Sequence, residues 1–379
     1  MAKAQTKSRR ALVLGRGASG EAAAAELRRR GYDVEFAEDL ALVVASPGVP
    51  VKSELQLGCE ELLRRGWKLL AVTGSKGKSS VVKVVADALA LAGLKAVPCG
   101  NYGRPVCDLV GEEPGWAVVE VSSFQMETTH LASDTFEAAV VLNVQEEHLD
   151  RHGDMSVYYS LKHRLASMAK VHFEGWEAKT PGELETVECF AGFGALIAGS
   201  YFDNDILRAN GAYAVALMRA AGLSDAQIRR GFESFEPLPH RFQLVAELGG
   251  VRYVDDSKAT SIAALVAGVA MCGASPVRLV AGGLPKGDDP KNALPILTDR
   301  VKKVYLIGQS AEVFSLAWSG AVDCEVCGTL DRAVESATRD AAKGETVLLS
   351  PGAASFDQFA SFGERGEVFA SLVKKGKKE

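Results

Sequence analysis

No disulfide framework can be drawn from this sequence. Its 7 cysteines, scattered over 379 residues, lack the spacing of a stapled secreted domain, which in a chain this large points to reduced thiols. The C-x-x-C from Cys324 to Cys327 lies in a strand-like run where positions three apart face opposite sides, and no second pair completes a zinc site. No apolar run reaches the roughly 18 residues of a membrane span. Arg16 also interrupts the apolar run after Lys7 to Arg10 before a signal-peptide core can form. The expectation is a cytoplasmic protein without membrane insertion. Basic excess is missing too: 43 Lys and Arg stand against 48 Asp and Glu, a net charge of -5. Nucleic acid is therefore not the expected partner, and Lys374 to Lys378 reads as a solvated end. Residues 170–205 lack periodicity, with Gly192, Gly194 and Gly199 breaking any long element, and no chemistry is assigned there.

What is present suits a globular enzyme of two or three domains, with 47% hydrophobic and 24% charged residues. The organising stretch is the apolar run Lys68 to Thr73, the turn Gly74, Ser75, Lys76, Gly77, and the helical run that opens with Lys78, Ser79 and Ser80. Unpaired N–H groups and the helix dipole at such a start favour an anion. The glycines let main chain approach phosphates, Lys78 adds positive charge, and the Ser79 hydroxyl can sit on Mg2+. The first glycine is two residues closer than G-x-x-x-x-G-K-[ST] demands.

Upstream, Ala11 to Leu14 leads into Gly15, Gly17, Ala18, Ser19 and Gly20, a G-x-G-x-x-G before a helix, with Glu38 and Asp39 after the strand Val34 to Ala37. That geometry suits any diphosphate. A third strand is expected over Leu42 to Ala45, and a first domain of about 50 residues should lean on its neighbour. Downstream, a buried strand is read from Trp116 to Gln125, with Glu120 as the acidic support of a metal beside the phosphate loop. Ala138 to Asn143 is a strand delivering His148, either a metal neighbour or an ordinary loop histidine. Tyr158 to Ala169 reads as a helix bearing Lys162 and His163, and Ile206 to Gly222 as an amphipathic helix. Pro237 and Pro239 mark a linker. Beyond it, Leu244 to Val254 alternates like a hairpin turning at Gly249 and Gly250, and Asp255 to Ser261 opens a helix. Strands alternating with helices then imply a parallel sheet. Lys258, Lys286 and Ser355 fall just past strands or helix starts, where anions are gripped or where lysines are simply solvated.

Several runs together resemble the Mur ligase family of peptidoglycan synthesis: Thr73–Ser80 (TGSKGKSS), Glu120–Thr129 (EVSSFQMETT), Leu142–Arg151 (LNVQEEHLDR), Leu238–Phe242 (LPHRF) and Asp255–Thr260 (DDSKAT). A further stretch, Leu349–Phe359 (LSPGAASFDQF) continuing into Phe362–Gly366 (FGERG), resembles the branch that adds D-glutamate. The resemblance spans nearly the whole chain, and the shortened phosphate loop is how the family writes it. It implies an α/β fold of three domains: a small Rossmann-like N-terminal domain (1–52), a central P-loop ATPase-type parallel sheet (53–238) and a C-terminal Rossmann-like α/β domain (239–379).

It further implies an ATP-dependent ligase that couples UDP-N-acetylmuramoyl-L-alanine to D-glutamate through an acyl phosphate, working as a monomer with the last domain closing over the centre. By the resemblance, Gly74 to Ser80 hold ATP phosphates, Ser79 and Glu120 hold Mg2+, and His148 and a carbamylated Lys162 hold a second Mg2+. Lys78, His148, Lys162 and Arg241 are the implied catalytic set. Asn210, Arg241 and Asp256 would contact ATP, Gly17, Ala18 and Ser19 the UDP, and Asn101 and His148 the nucleotide sugar. Lys258, Thr260, Lys286, Ser355, Phe356 and Phe362 would surround D-glutamate.

Departures from the pattern are also plain. The family's His-Asn ahead of Asn210 is Ile206-Leu207, its Asp-Thr-Arg after the second strand is Glu38-Asp39-Leu40, its Asn-Asp-Ser-Lys begins with Asp255, and a customary Asn is Lys76. The first domain lacks about half the expected strands. The competing expectations are another ligase of the same build, such as a folylpolyglutamate type, a nucleotide-binding relative that has lost catalysis, and a nicotinamide oxidoreductase.

Overall fold

The computed structural model describes residues 9–38, 51–145, 147–174 and 190–375. The chain divides into two compact units, one made of 1–203 with 207–235 and the other of 204–206 with 236–379. The expected strand Leu42–Ala45 lies outside the described residues.

The first unit opens with a parallel pair, β1 (Arg9–Leu14) and β2 (Tyr32–Ala37), joined by helix α1 (Ala18–Arg29). Gly20 permits the tight turn here, since a Cβ on it would lie 2.1 Å from the Gly15 carbonyl oxygen. So small a sheet has little core of its own. Ala22 and Ala23 of α1 are buried with Leu57 and Cys107, Arg29 donates to the Val110 carbonyl, and Arg30 pairs with Glu61 at 3.2 Å.

The main sheet of this unit is fully parallel, in the order β4-β5-β3-β6-β7. Its strands are β3 (Lys68–Thr73), β4 (Ala96–Gly100), β5 (Trp116–Glu120), β6 (Phe136–Val141) and β7 (Ala169–Glu174). Central strands buried on both faces need continuous apolar sequence, and β3 and β5 supply it. Helix α2 (Glu54–Arg64) is capped by Ser53. Helix α3 (Lys78–Leu91) follows β3, and the chain winds from it toward β4 and β5 on one side and β6 and β7 on the other. That puts the turn after β3 at a switch point, where open α/β sheets bind ligands.

In this unit two boundaries depart furthest from the sequence reading. The strand read through Gln125 ends at Glu120, because Ser122 and Gln125 form a reciprocal capping box that starts helix α4 (Ser123–Met126). The helix read as Tyr158–Ala169 is α6 (Met155–His163), started by Asp154, whose carboxylate accepts from the N–H groups of Ser156 and Val157; Ala169 already belongs to β7. Between β6 and α6 lies the one-turn helix α5 (Leu149–His152).

In the second unit the sheet order is β12-β11-β10-β13-β9-β8, parallel except for β8. The strands are β8 (Gln243–Leu248), β9 (Val251–Asp255), β10 (Val277–Gly282), β11 (Val301–Ile307), β12 (Asp323–Gly328) and β13 (Thr346–Leu349). The hairpin does turn at Gly249 and Gly250, both at positive φ. The helix expected to open at Asp255 begins later, at Ile262, where the Ser261 hydroxyl caps it.

Candidate active site

In the first unit the site forms around the turn between β3 and α3. Gly77 caps α3 at φ 86, and a Cβ on it would meet Asn210 Nδ2 at 2.2 Å; Gly74, at φ 150, would meet Leu142 Cβ at 3.0 Å. Only glycine fits either position. The turn is held from the β6 side: Ser75 N–H donates to the Asn143 carbonyl at 2.9 Å, Lys76 N–H to Asn143 Oδ1 at 2.8 Å, and Ser75 Oγ lies 2.9 Å from the Tyr158 hydroxyl. Ser79 is half-buried and Ser80 buried in the first turn of α3.

Two lysines converge on one carbonyl. Lys78 Nζ donates to Gly74 O at 2.8 Å and to Ser75 O at 3.0 Å, and Lys162 Nζ donates to the same Gly74 O at 2.8 Å. Lys162 is 1% exposed, with its ammonium over the Tyr158 ring. Burial first, and then the charge of Lys78, lower its pKa to about 7.

Glu120 ends β5 and pairs in register with Val72, just before the turn. It is 2% exposed. Its Oε1 accepts from Asn101 Nδ2 at 2.7 Å, while its Oε2 is buried without a hydrogen-bond partner. A buried carboxylate oxygen in that state is costly unless a cation reaches it. His148 stands at φ 58 as the cap of α5, with its ring 4.9 Å from that of Phe124. His152 lies between Ser123 Oγ at 3.0 Å and Glu127 Oε1 at 3.3 Å. Lys76 pairs with Glu147 at 2.6 Å. Gly17, Ala18 and Ser19 are exposed at the start of α1. No group of three or more His, Cys, Asp or Glu side chains is arranged to hold a metal among the described residues, so any ion here would need the Ser79 hydroxyl and ligand oxygens as well.

The second unit gathers its candidates at the C-terminal ends of its strands. Lys286 Nζ donates to Thr260 Oγ1 at 3.1 Å, Lys258 Nζ lies 3.9 Å from the Phe362 ring centroid, Ser355 is buried, and Phe356 is 69% exposed. Asp256 accepts from Phe242 N–H at 3.1 Å and Ser350 Oγ at 2.9 Å, and burial pushes its carboxyl up to about 7. It therefore fixes the turn that carries Arg241.

Two features here escaped the sequence reading. His240, at φ 61, sets Nδ1 2.7 Å from Asp255 Oδ2, and Arg365 is wholly buried. Gly366 makes the histidine pair possible, because a Cβ there would lie 2.1 Å from His240 Nδ1 and 2.5 Å from Asp255 Oδ2. Gly366→Ala should therefore cost about 1–3 kcal/mol in denaturant unfolding. Gly363→Ala, whose Cβ would have Ser361 Oγ nearest at 3.4 Å, should change stability by under about 1 kcal/mol. Equal costs would remove this account of Gly366.

Family models for the Mur ligase middle domain and for the Mur ligase glutamate ligase domain match residues 72–173 and 240–353. The UDP-N-acetylmuramoylalanine–D-glutamate ligase of Nitratidesulfovibrio vulgaris is 35% identical over 368 residues, covering 90% of this chain and 83% of that protein. The enzyme of the same name from Acidobacterium capsulatum is 34% identical, covering 97% of each. Among solved structures, the MurF ligase of Thermotoga maritima in complex with ADP superposes with a TM-score of 0.62 at 16% identity, covering 98% of this chain and 96% of that one. That likeness speaks for the fold alone.

Proposed function

The chain belongs to the Mur ligase family, and from that membership we propose that it joins D-glutamate to UDP-N-acetylmuramoyl-L-alanine at the expense of ATP, in peptidoglycan synthesis. The name shared by relatives that match most of the chain supports this reading. The observation that carries it is the Glu120 carboxylate, buried at a strand end next to the phosphate turn with one oxygen unpartnered.

In this reading the turn Gly74, Ser75, Lys76, Gly77 and the first turn of α3, Lys78, Ser79 and Ser80, hold the phosphates through main-chain N–H groups and the Lys78 ammonium. Asn210 borders the same turn, and Arg241 and Asp256 serve the nucleotide, Asp256 by holding the Arg241 turn. Ser79 and Glu120 suit Mg2+, which when bound offsets the repulsion between two anions. His148 and Lys162 suit a second ion if Lys162 carries CO2 as a carbamate. Only a neutral amine adds CO2, and an amine held at about 7 is substantially neutral at neutral pH.

The substrate carboxylate attacks the γ-phosphorus, ADP leaves, and the D-glutamate amine displaces phosphate from the resulting acyl phosphate. Gly17, Ala18, Ser19, Asn101 and His148 are assigned to the nucleotide sugar. Lys258, Thr260, Lys286, Ser355, Phe356 and Phe362 are assigned to the amino acid, whose carboxylates the two ammonium groups would attract. The enzyme is read as a cytoplasmic monomer. The test is phosphate release with UDP-N-acetylmuramoyl-L-alanine, ATP and either D- or L-glutamate. Release is expected only with the sugar peptide and the D-isomer together; release indifferent to either removes the proposal.

A further inference from the structure

Arg365 sits in the first turn of the helix Phe362–Lys375 and is 0% exposed. Its guanidinium is spread over neutral acceptors. Nε donates to Ser257 Oγ at 3.0 Å, one terminal nitrogen to Ser257 O at 2.9 Å and Ala353 O at 3.2 Å, and the other to Ala354 O at 3.2 Å and Gly282 O at 3.5 Å. These acceptors lie at the last residue of β10 and in the segments that leave β9 and β13, strands that are neighbours in the sheet. The Ser257 hydroxyl donates in turn to Phe362 O at 2.8 Å, which returns the network to the helix that bears Arg365. The segments after β10 and β13 also pair directly, with Leu284 and Ala354 exchanging main-chain hydrogen bonds of 2.8 and 2.9 Å.

No carboxylate hydrogen-bonds to Arg365 among the described residues, and the charges of Asp357 and Asp255 act on it less than burial does. Burying a cation under those conditions is expensive, and burial lowers its pKa to about 10. The arrangement makes sense for what the fork does: a planar group with five donors can satisfy carbonyls from three segments at once, which neither an apolar side chain nor a lysine can. Those segments present Lys258 and Thr260, Lys286, and Ser355.

Resting on the reading of this edge as the amino-acid site, we propose that Arg365 is a positioning residue which sets that site by locking its three loops to one helix.

The test uses the full chain with Arg365→Lys and Arg365→Ala. By hydrogen–deuterium exchange without ligands, segments 257–261, 283–287 and 353–357 should exchange about tenfold or more faster in both variants, while α3 keeps its protection. In steady state the KM for D-glutamate should rise about tenfold or more with the KM for ATP within about twofold. Methylguanidinium should restore part of the loss in the alanine variant but not in the lysine variant. Unchanged loop exchange, exchange that rises uniformly across the chain, or equal increases in both KM values would overturn the proposal. If the alanine variant does not fold, the lysine variant carries the test. If the unsubstituted protein shows no dependence on D-glutamate, the ligase reading fails and loop exchange alone decides the role of Arg365.

Discussion

A Lys162→Ala protein is expected to lose on the order of a thousandfold in turnover and to recover part of it when formate or acetate is added. Lys162 is an unusual lysine: 1% exposed, sharing the Gly74 carbonyl with Lys78 at 2.8 Å each, and held near pKa 7. Two ammonium groups on one oxygen repel, and burial adds to the penalty, so the group is readily converted to its neutral form. Addition of CO2 to that amine would exchange a repelled cation for an anion with two oxygens, the donor type that a hard cation requires.

Alanine removes the whole group and leaves space, so a small carboxylate can stand in for the lost anion. The choice of rescuer separates two roles. Recovery with formate supports the carbamate, whereas recovery with methylammonium alone assigns the role to the amine. The pH dependence has a definite sign. Below about pH 7 the amine is protonated and cannot take up CO2, so at limiting CO2 the unsubstituted enzyme should lose activity as pH falls through that value. The formate-rescued variant should lack this step. Full turnover by Lys162→Ala without any additive would discard the assignment.

The local fold around the candidate site is partly legible in the sequence. The run Thr73 to Ser80 announces strand, turn and helix because two glycines must take conformations closed to other residues, and φ values of 150 and 86 at Gly74 and Gly77 bear that out. The hairpin at Gly249 and Gly250 was readable for the same reason. Local signals failed where a short-range hydrogen bond competed with periodicity. Trp116 to Gln125 looks like one apolar run, but the side chains of Ser122 and Gln125 capture main-chain N–H groups and divert the chain into α4. Strand β7 was missed because Lys170, Val171 and His172 are exposed, so no burial pattern marks it.

Long-range features were hidden for a different reason. Arg365 looks like a surface residue in a charged helical turn, and only loops brought together from far along the chain bury it. The His240 and Asp255 pair likewise depends on a positive φ and on the missing side chain of Gly366.

Glu120→Gln should lower turnover by about a hundredfold or more and raise the Mg2+ concentration for half-maximal activity about tenfold or more. Glutamine keeps the volume and can still accept the Asn101 amide that now reaches Oε1 at 2.7 Å, so the fold at the end of β5 should be undisturbed. What it removes is the formal charge behind Oε2, the oxygen left without a hydrogen bond. A structural carboxylate would give the opposite result. If Glu120 served only to anchor Asn101 and the segment after β4, the neutral isostere would relieve a buried charge, and stability would hold or rise with little change in metal dependence. Titrating Mg2+ at saturating ATP for both proteins, beside metal-free nucleotide binding, separates the cases: a rightward shift in the metal curve with nucleotide binding intact assigns Glu120 to the ion, and superimposable metal curves withdraw it from the site.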